Sequence, residues 1–120
     1  MRTPTPDVPA AARPADAFSQ TYAEARAKFR AVAAAAGATL TEHPHPWPGP
    51  AGEALACDVA RFGPPDAEAV LWINSATHGV EGFCGSGVQI GMMAQGWHRR
   101  RPANVALLLT HAINPHGFAW

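Results

Sequence analysis

Apolar positions recur through the first third of the chain at alternating four- and three-residue steps. Phe18, Tyr22, Ala25, Phe29, Val32 and Ala36 therefore share one face of an α-helix. Asp16 is placed to cap its start and Gly37 to close its end, and Glu24 with Lys28 forms an i,i+4 pair on the wet side. The period then changes. Ala38–Glu42 suits a short strand, which the proline-laced run from His43 to Pro50 predicts to end in a turn or loop. Leu55, Cys57, Val59 and Arg61 alternate with Ala56, Asp58 and Ala60, as in a half-exposed strand, so the two segments are expected to pair as an antiparallel hairpin at a sheet edge. Val70–Ile73 is continuously apolar, which predicts a strand covered on both faces. About Val80 to Trp97 reads as a helix carrying Gly82, Gly85, Ser86, Gly87 and Gly91. So many glycines oppose helix propensity unless the helix backbone lies very close to a neighbour. Arg99-Arg100-Arg101-Pro102 ends that helix, and Val105–Leu109 is a second apolar strand.

The order helix, hairpin, strand, helix, strand predicts an α/β fold, a layered α/β/α arrangement with a mixed, mostly parallel sheet. Residues 1–15 hold four of the 12 prolines and no periodicity, and are expected to be a disordered lead to a single domain at 16–120. A net charge of zero argues against nucleic acid or an anionic membrane as partner. Eight of the nine cationic residues are Arg, which reads as coding bias. Cys57 and Cys84 are too few for a disulfide framework and are expected as reduced core residues. The first residues have no apolar signal region, and no apolar run approaches the ~20 residues of a membrane span. A cytoplasmic protein is expected.

The chemistry concentrates where strands end. His78 and Glu81, three apart at a strand-to-helix junction, can turn toward one point and so bind zinc, which takes His nitrogen and carboxylate oxygen. The structural alternative is that His78 caps the helix while Glu81 meets its first amides. His111, Asn114 and His116 fall at the same carboxyl end of the sheet, where α/β sites gather. His43 and His45 are two apart, a spacing that suits solvated loop histidines or adventitious metal binding. Gly85-Ser-Gly87-Val-Gln-Ile-Gly91 loosely matches a dinucleotide fingerprint, but it begins about a dozen residues after Ile73 rather than in the first turn. Ser75 and Ser86 lie in no Gly-x-Ser-x-Gly elbow, so a serine hydrolase has no support.

Thr77-His78-Gly79-Val80-Glu81-Gly82 after an apolar strand, followed by Asn114-Pro115-His116-Gly117-Phe118 after the next, resembles the zinc carboxypeptidase superfamily. Phe18-Ser-Gln-Thr-Tyr-Ala-Glu-Ala-Arg and Thr77-His-Gly-Val-Glu-Gly-Phe-Cys-Gly-Ser-Gly87 resemble one bacterial branch of it. That branch comprises carboxypeptidase-like domains of unknown function akin to aspartoacylase and succinylglutamate desuccinylase. The likeness runs from Phe18 to Trp120. It implies that His78 and Glu81 are two of three Zn2+ ligands. It also implies hydrolysis of amide bonds in small acylated or peptidic substrates by metal-activated water. Asn114 and His116 would sit in the turn that precedes the substrate-binding segment and are the candidates for substrate binding, with His116 standing where many peptidases have Asp. The third zinc ligand, an Asn-Arg carboxylate clamp and a general-base Glu have no counterpart in these 120 residues. The expectation is therefore the N-terminal portion of a zinc hydrolase, truncated and without appreciable catalysis of its own. The alternative is a non-catalytic α/β module that associates with another chain, or with itself, through an exposed sheet edge.

Overall fold

The computed structural model describes residues 13–120. Four strands, β1 (Thr39–Pro44), β2 (Ala56–Phe62), β3 (Ala69–Asn74) and β4 (Val105–His111), form one mixed sheet in the order β1-β2-β4-β3. The β1–β2 and β2–β4 pairs are antiparallel and β3–β4 is parallel. Helices α1 (Tyr22–Ala35) and α2 (Gly82–Ala94) pack on one face of the sheet, and a short α3 (Pro115–Ala119) follows β4. The chain is thus an α/β protein, with the hairpin at one edge and the strand–helix–strand unit beside it.

The core between helices and sheet is built from Phe29 and Ala33 of α1, Ile90 and Met93 of α2, Ala60 and Phe62 of β2, and Leu107 and Leu109 of β4. The glycines of α2 answer the requirement for close approach. A Cβ on Gly82 would lie 2.0 Å from the Phe118 ring, and one on Gly85 would lie 2.9 Å from Ser75 Cβ. No helix among the described residues is long and apolar enough to cross a membrane.

Several expectations change. Residues 1–12 of the predicted lead lie outside the described residues, and Pro14–Ala17 forms a 3-10 turn instead of continuing it. Helix α1 starts later than Asp16 implied, because Thr21 caps it by accepting from the Glu24 N–H (3.1 Å). Glu24 returns a bond by accepting from the Gln20 N–H. Strand β1 runs on to Pro44, which an edge strand tolerates. The arginine run follows the end of α2 in a separate 3-10 turn, Trp97–Arg100. In β2 the buried face is the reverse of the apolar one: Ala56, Asp58, Ala60 and Phe62 turn inward, while Cys57, Val59 and Arg61 are half-buried. Small side chains there make room for α1 to sit close. Cys84 is exposed and Cys57 half-buried, so neither is the core residue expected.

Strand β3 differs most. It pairs with β4 alone and forms the second sheet edge, leaving Val70, Leu71 and Trp72 51, 55 and 59% exposed. A continuously apolar strand suits cover on both faces, yet the described residues supply little for β3 beyond β4 and the packing of Ile73 on the core.

Candidate functional site

Strands β3 and β4 run in parallel, so both release the chain at the same end of the sheet. There the two segments are stitched together. The Ser75 N–H donates to the Thr110 carbonyl, Ile113 N–H to Ser75 carbonyl, and Asn114 N–H to Ala76 carbonyl, all at 3.0 Å. Two non-glycine residues adopt positive φ here, Ala76 at 56° and Ala112 at 23°, and both are buried with Phe118 and Tyr22. Such conformations cost free energy and persist only where the surroundings over-determine them.

These turns hold His78 and Glu81 in place. Glu81 accepts from the His78 N–H (2.6 Å) through Oε1 and from the Gly79 N–H (2.7 Å) through Oε2. Those bonds, led by the one from Gly79, hold its carboxyl below the ordinary range. His78 Nδ1 lies 3.2 Å from Glu81 Oε1, with 85% of the His78 and 49% of the Glu81 side chain exposed. Two donors at zinc bond lengths of about 2.0–2.1 Å in tetrahedral geometry stand about 3.3 Å apart, so the pair fits one zinc ion. The same contacts show how much of Glu81 serves the loop itself. The structural alternative is met in altered form, since Glu81 braces the turn before α2 and His78 caps nothing.

Asn114 acts as the bracket between the two strand ends. Its Oδ1 accepts from the Gly117 N–H (2.9 Å), capping α3, while Nδ2 donates to the carbonyls of His78 (3.1 Å) and Thr77 (3.4 Å). Gly117 is required at this approach: a Cβ there would lie 2.0 Å from the His78 carbonyl oxygen. His116 points elsewhere. Its ring stacks on His45 (5.6 Å between centroids) and lies near Trp47 (5.8 Å) and Trp120 (5.7 Å), making an aromatic cluster with the loop after β1. His45 Nδ1 accepts from the Trp47 N–H, so this loop histidine is an organised part of that cluster. Beside the cluster and next to Val80 lies a mostly apolar cavity of about 390 Å3, walled by Phe83, Phe118, Tyr22 and Trp120.

His111 is not brought to this site. It is fully buried, stacked on Phe29 (4.6 Å) and hydrogen-bonded through Nε2 to Ser86 Oγ (2.8 Å). Burial pushes it down to about 4, which keeps the ring neutral. Among the described residues no three His, Cys, Asp or Glu side chains converge on one metal. By its separation alone, the His78–Glu81 pair matches two donors to one ion.

Sequence reasoning missed the polar centre beneath α1. Asp58, wholly buried, receives Arg26 Nε (2.7 Å) and Arg30 Nη1 (2.6 Å), and Arg26 reaches on to Glu42 (2.5 Å). The bond to Asp58 is the main cause of a raised Arg26 pKa. One signal was present: Arg26 and Arg30 are like charges at i,i+4, a costly spacing unless a carboxylate stands between them.

Comparison with known proteins agrees with this architecture. Residues 18–120 match the family described as "Protein of unknown function (DUF2817)". The fold is similar to that of Tannerella forsythia glutaminyl cyclase, with TM-score 0.57 and 13% identity over 82% of this chain and 40% of that one. A Zn-dependent exopeptidase from Parabacteroides distasonis gives TM-score 0.56 and 12% identity over 82% and 40% of the two chains. Fimbriiglobus ruber glutaminyl cyclase gives 0.54 and 11% over 86% and 42%. The chain thus spans about 40% of the length of the solved structures it resembles, and at such identity the likeness is one of fold. No curated protein gives a significant match.

Proposed function

The chain belongs to the DUF2817 family, and we propose that it supplies His78 and Glu81 as two zinc ligands of a metallohydrolase domain. The observation that carries this reading is the exposed His78 Nδ1 to Glu81 Oε1 separation of 3.2 Å at the end of β3. A zinc ion, when bound in such a site, polarises a carbonyl and acidifies water. The chain's own part is to present the ligands: Glu81 is fixed by the amides of His78 and Gly79, and Asn114 ties down the His78 carbonyl. The substrate class proposed is an amide of a small acylated or peptidic compound, with the carboxypeptidase and aspartoacylase-like branch as the parent chemistry. Asn114 and His116 are retained as candidates near the substrate, Asn114 through the loop it braces. The remaining ligand and the general base are proposed to lie outside the described residues, so residues 13–120 alone are expected to show no hydrolysis.

Zinc titration of the metal-free chain in competition with a chromogenic chelator tests the pair. Weak one-to-one binding is expected, at least tenfold weaker in His78→Ala and in Glu81→Ala. Equal binding by wild type and both variants would sink the assignment.

A second reading rests on the exposed apolar edge β3, which suits addition of a strand from another chain or a second copy. Sedimentation of wild type beside Leu71→Lys tests it. Concentration-dependent association abolished by the lysine is the expected result, and a monomer at all concentrations rejects self-pairing.

A further inference from the structure

The end of the sheet opposite His78 carries a cavity of about 430 Å3 between α1, the start of β1, the end of β2 and the turn after α2. Arg61, Arg99, Arg101 and His98 line it, together with apolar atoms of Val32 and Met93. Among the described residues no carboxylate lines it. Among the described residues every ion pair lies elsewhere, and none involves these three arginines. The acids of the neighbouring turn are Asp66 and Glu68, and Glu68 accepts from Asn104 Nδ2 (2.9 Å).

Among the described residues two nitrogens here are buried without a partner: Arg101 Nε, a donor, and His98 Nδ1, a donor in one of the two neutral tautomers. The rest of Arg101 is anchored, since Nη1 donates to the Val105 (3.2 Å) and Pro102 (3.3 Å) carbonyls. Arg61 is held likewise by the Pro64 carbonyl (2.7 Å). His98 is stacked on Phe62 at 4.5 Å. Burial, then the nearby Arg99 and Arg101, push its pKa down, which is consistent with an uncompensated positive field. A concave, partly apolar site lined by one sign of charge concentrates counter-ions. Planar guanidinium forks suit oxyanions with paired acceptors, and buried donors without partners are expensive to leave unmet.

We propose that this cavity is a binding site for a small oxyanion, phosphate or carboxylate, carried on a short apolar or aromatic stem. Arg99 and Arg61 contact the anionic group, Arg101 and His98 supply the buried donors, and Val32, Phe62 and Met93 receive the stem. The volume lies within the range of small-molecule sites. The site is separate from the His78–Glu81 pair and does not depend on the zinc reading.

Calorimetric titration of the chain with phenyl phosphate, benzoate and phenol, in chelator, tests the proposal. Saturable one-to-one binding of at least one of the two anions is expected, with phenol binding at least tenfold more weakly. Phenyl phosphate alone saturating assigns a phosphate, and benzoate alone a carboxylate. Affinity should fall at least tenfold in Arg99→Gln and in Arg61→Gln, and fall again with added salt. Among the described residues Arg99 makes no side-chain hydrogen bond, so Arg99→Gln keeps the test intact if Arg61→Gln folds poorly. Saturation by neither anion, equal binding of phenol, or wild-type affinity in Arg99→Gln overturns it.

Discussion

Two polar clusters in this chain have opposite fates. Around Asp58, Arg26, Arg30 and Glu42 consume one another's charges beneath α1, with the Asp58 carboxylate wholly out of water. At the end of β3, Glu81 and His78 lie 3.2 Å apart, and the imidazole stands in solvent. In the first cluster the Asp58 carboxylate is taken up by two guanidinium groups, which fastens helix to sheet. The second keeps donor atoms facing outward on a loop braced from behind. Pairing alone therefore does not mark a site; accessible lone pairs on a rigid support do.

The comparison is broken most forcefully at Asp58. Asp58→Ala leaves two arginines facing a buried hole, and removing one partner of a buried pair costs about 3–5 kcal/mol. Urea denaturation should show that loss, whereas His78→Ala, which removes an exposed ring, should move stability by no more than about 0.5 kcal/mol. Similar losses for the two variants would erase the distinction drawn between the clusters.

Acid probes the same contrast with a somewhat smaller effect. His111 sits against the buried cluster and titrates near 4 instead of the ordinary 6.5. Between those values the unfolded chain binds a proton that the folded one refuses, so stability is whole above about pH 6.5 and falls as the pH drops. The loss reaches about 3 kcal/mol by pH 4. Glu81, whose carboxyl is held below its usual 4.5, loses its contribution only as pH falls further. His98, also pushed down by burial, slopes the same way. The readout is therefore the difference between wild type and His111→Gln over pH 7 to 4.5. A variant profile as steep as the wild type's would remove His111 from the account.

The exposed pair was legible in the sequence because its two residues are neighbours along the chain and follow an apolar strand. Strand β3, helix α2 and strand β4 were legible for a related reason: local apolar runs and glycine spacing report on elements directly. Asp58 was hidden because alternation in β2 identifies two faces without saying which one a helix will cover. Its partners, Arg26 and Arg30, lie some thirty residues away. His111 ends an apolar strand, and sequence position alone did not separate a buried histidine from a ligand; the Ser86 hydroxyl and the Phe29 ring settled that through tertiary contacts. The cationic cavity is likewise a product of folding, since Arg61 meets Arg99 and Arg101 only when β2 closes on the turn after α2.

A smaller loss than those at Asp58 and His111 bears most directly on how the open pair is supported. Asn114→Ala removes the cap on α3 and the two donors that hold the Thr77 and His78 carbonyls, at about 1 kcal/mol for the cap. Asn114→Asp separates the roles. Its Oδ1 still accepts from the Gly117 N–H, but it presents an oxygen where Nδ2 met two carbonyls, so the loop bearing His78 must move away. Stability should be partly restored relative to alanine, while zinc affinity stays about tenfold below wild type in both variants, in keeping with the outer contacts of metal ligands. If the aspartate binds zinc as wild type does, the backbone bonds from Ser75, Ile113 and Asn114 already fix the loop. The side-chain bracket would then serve α3 alone.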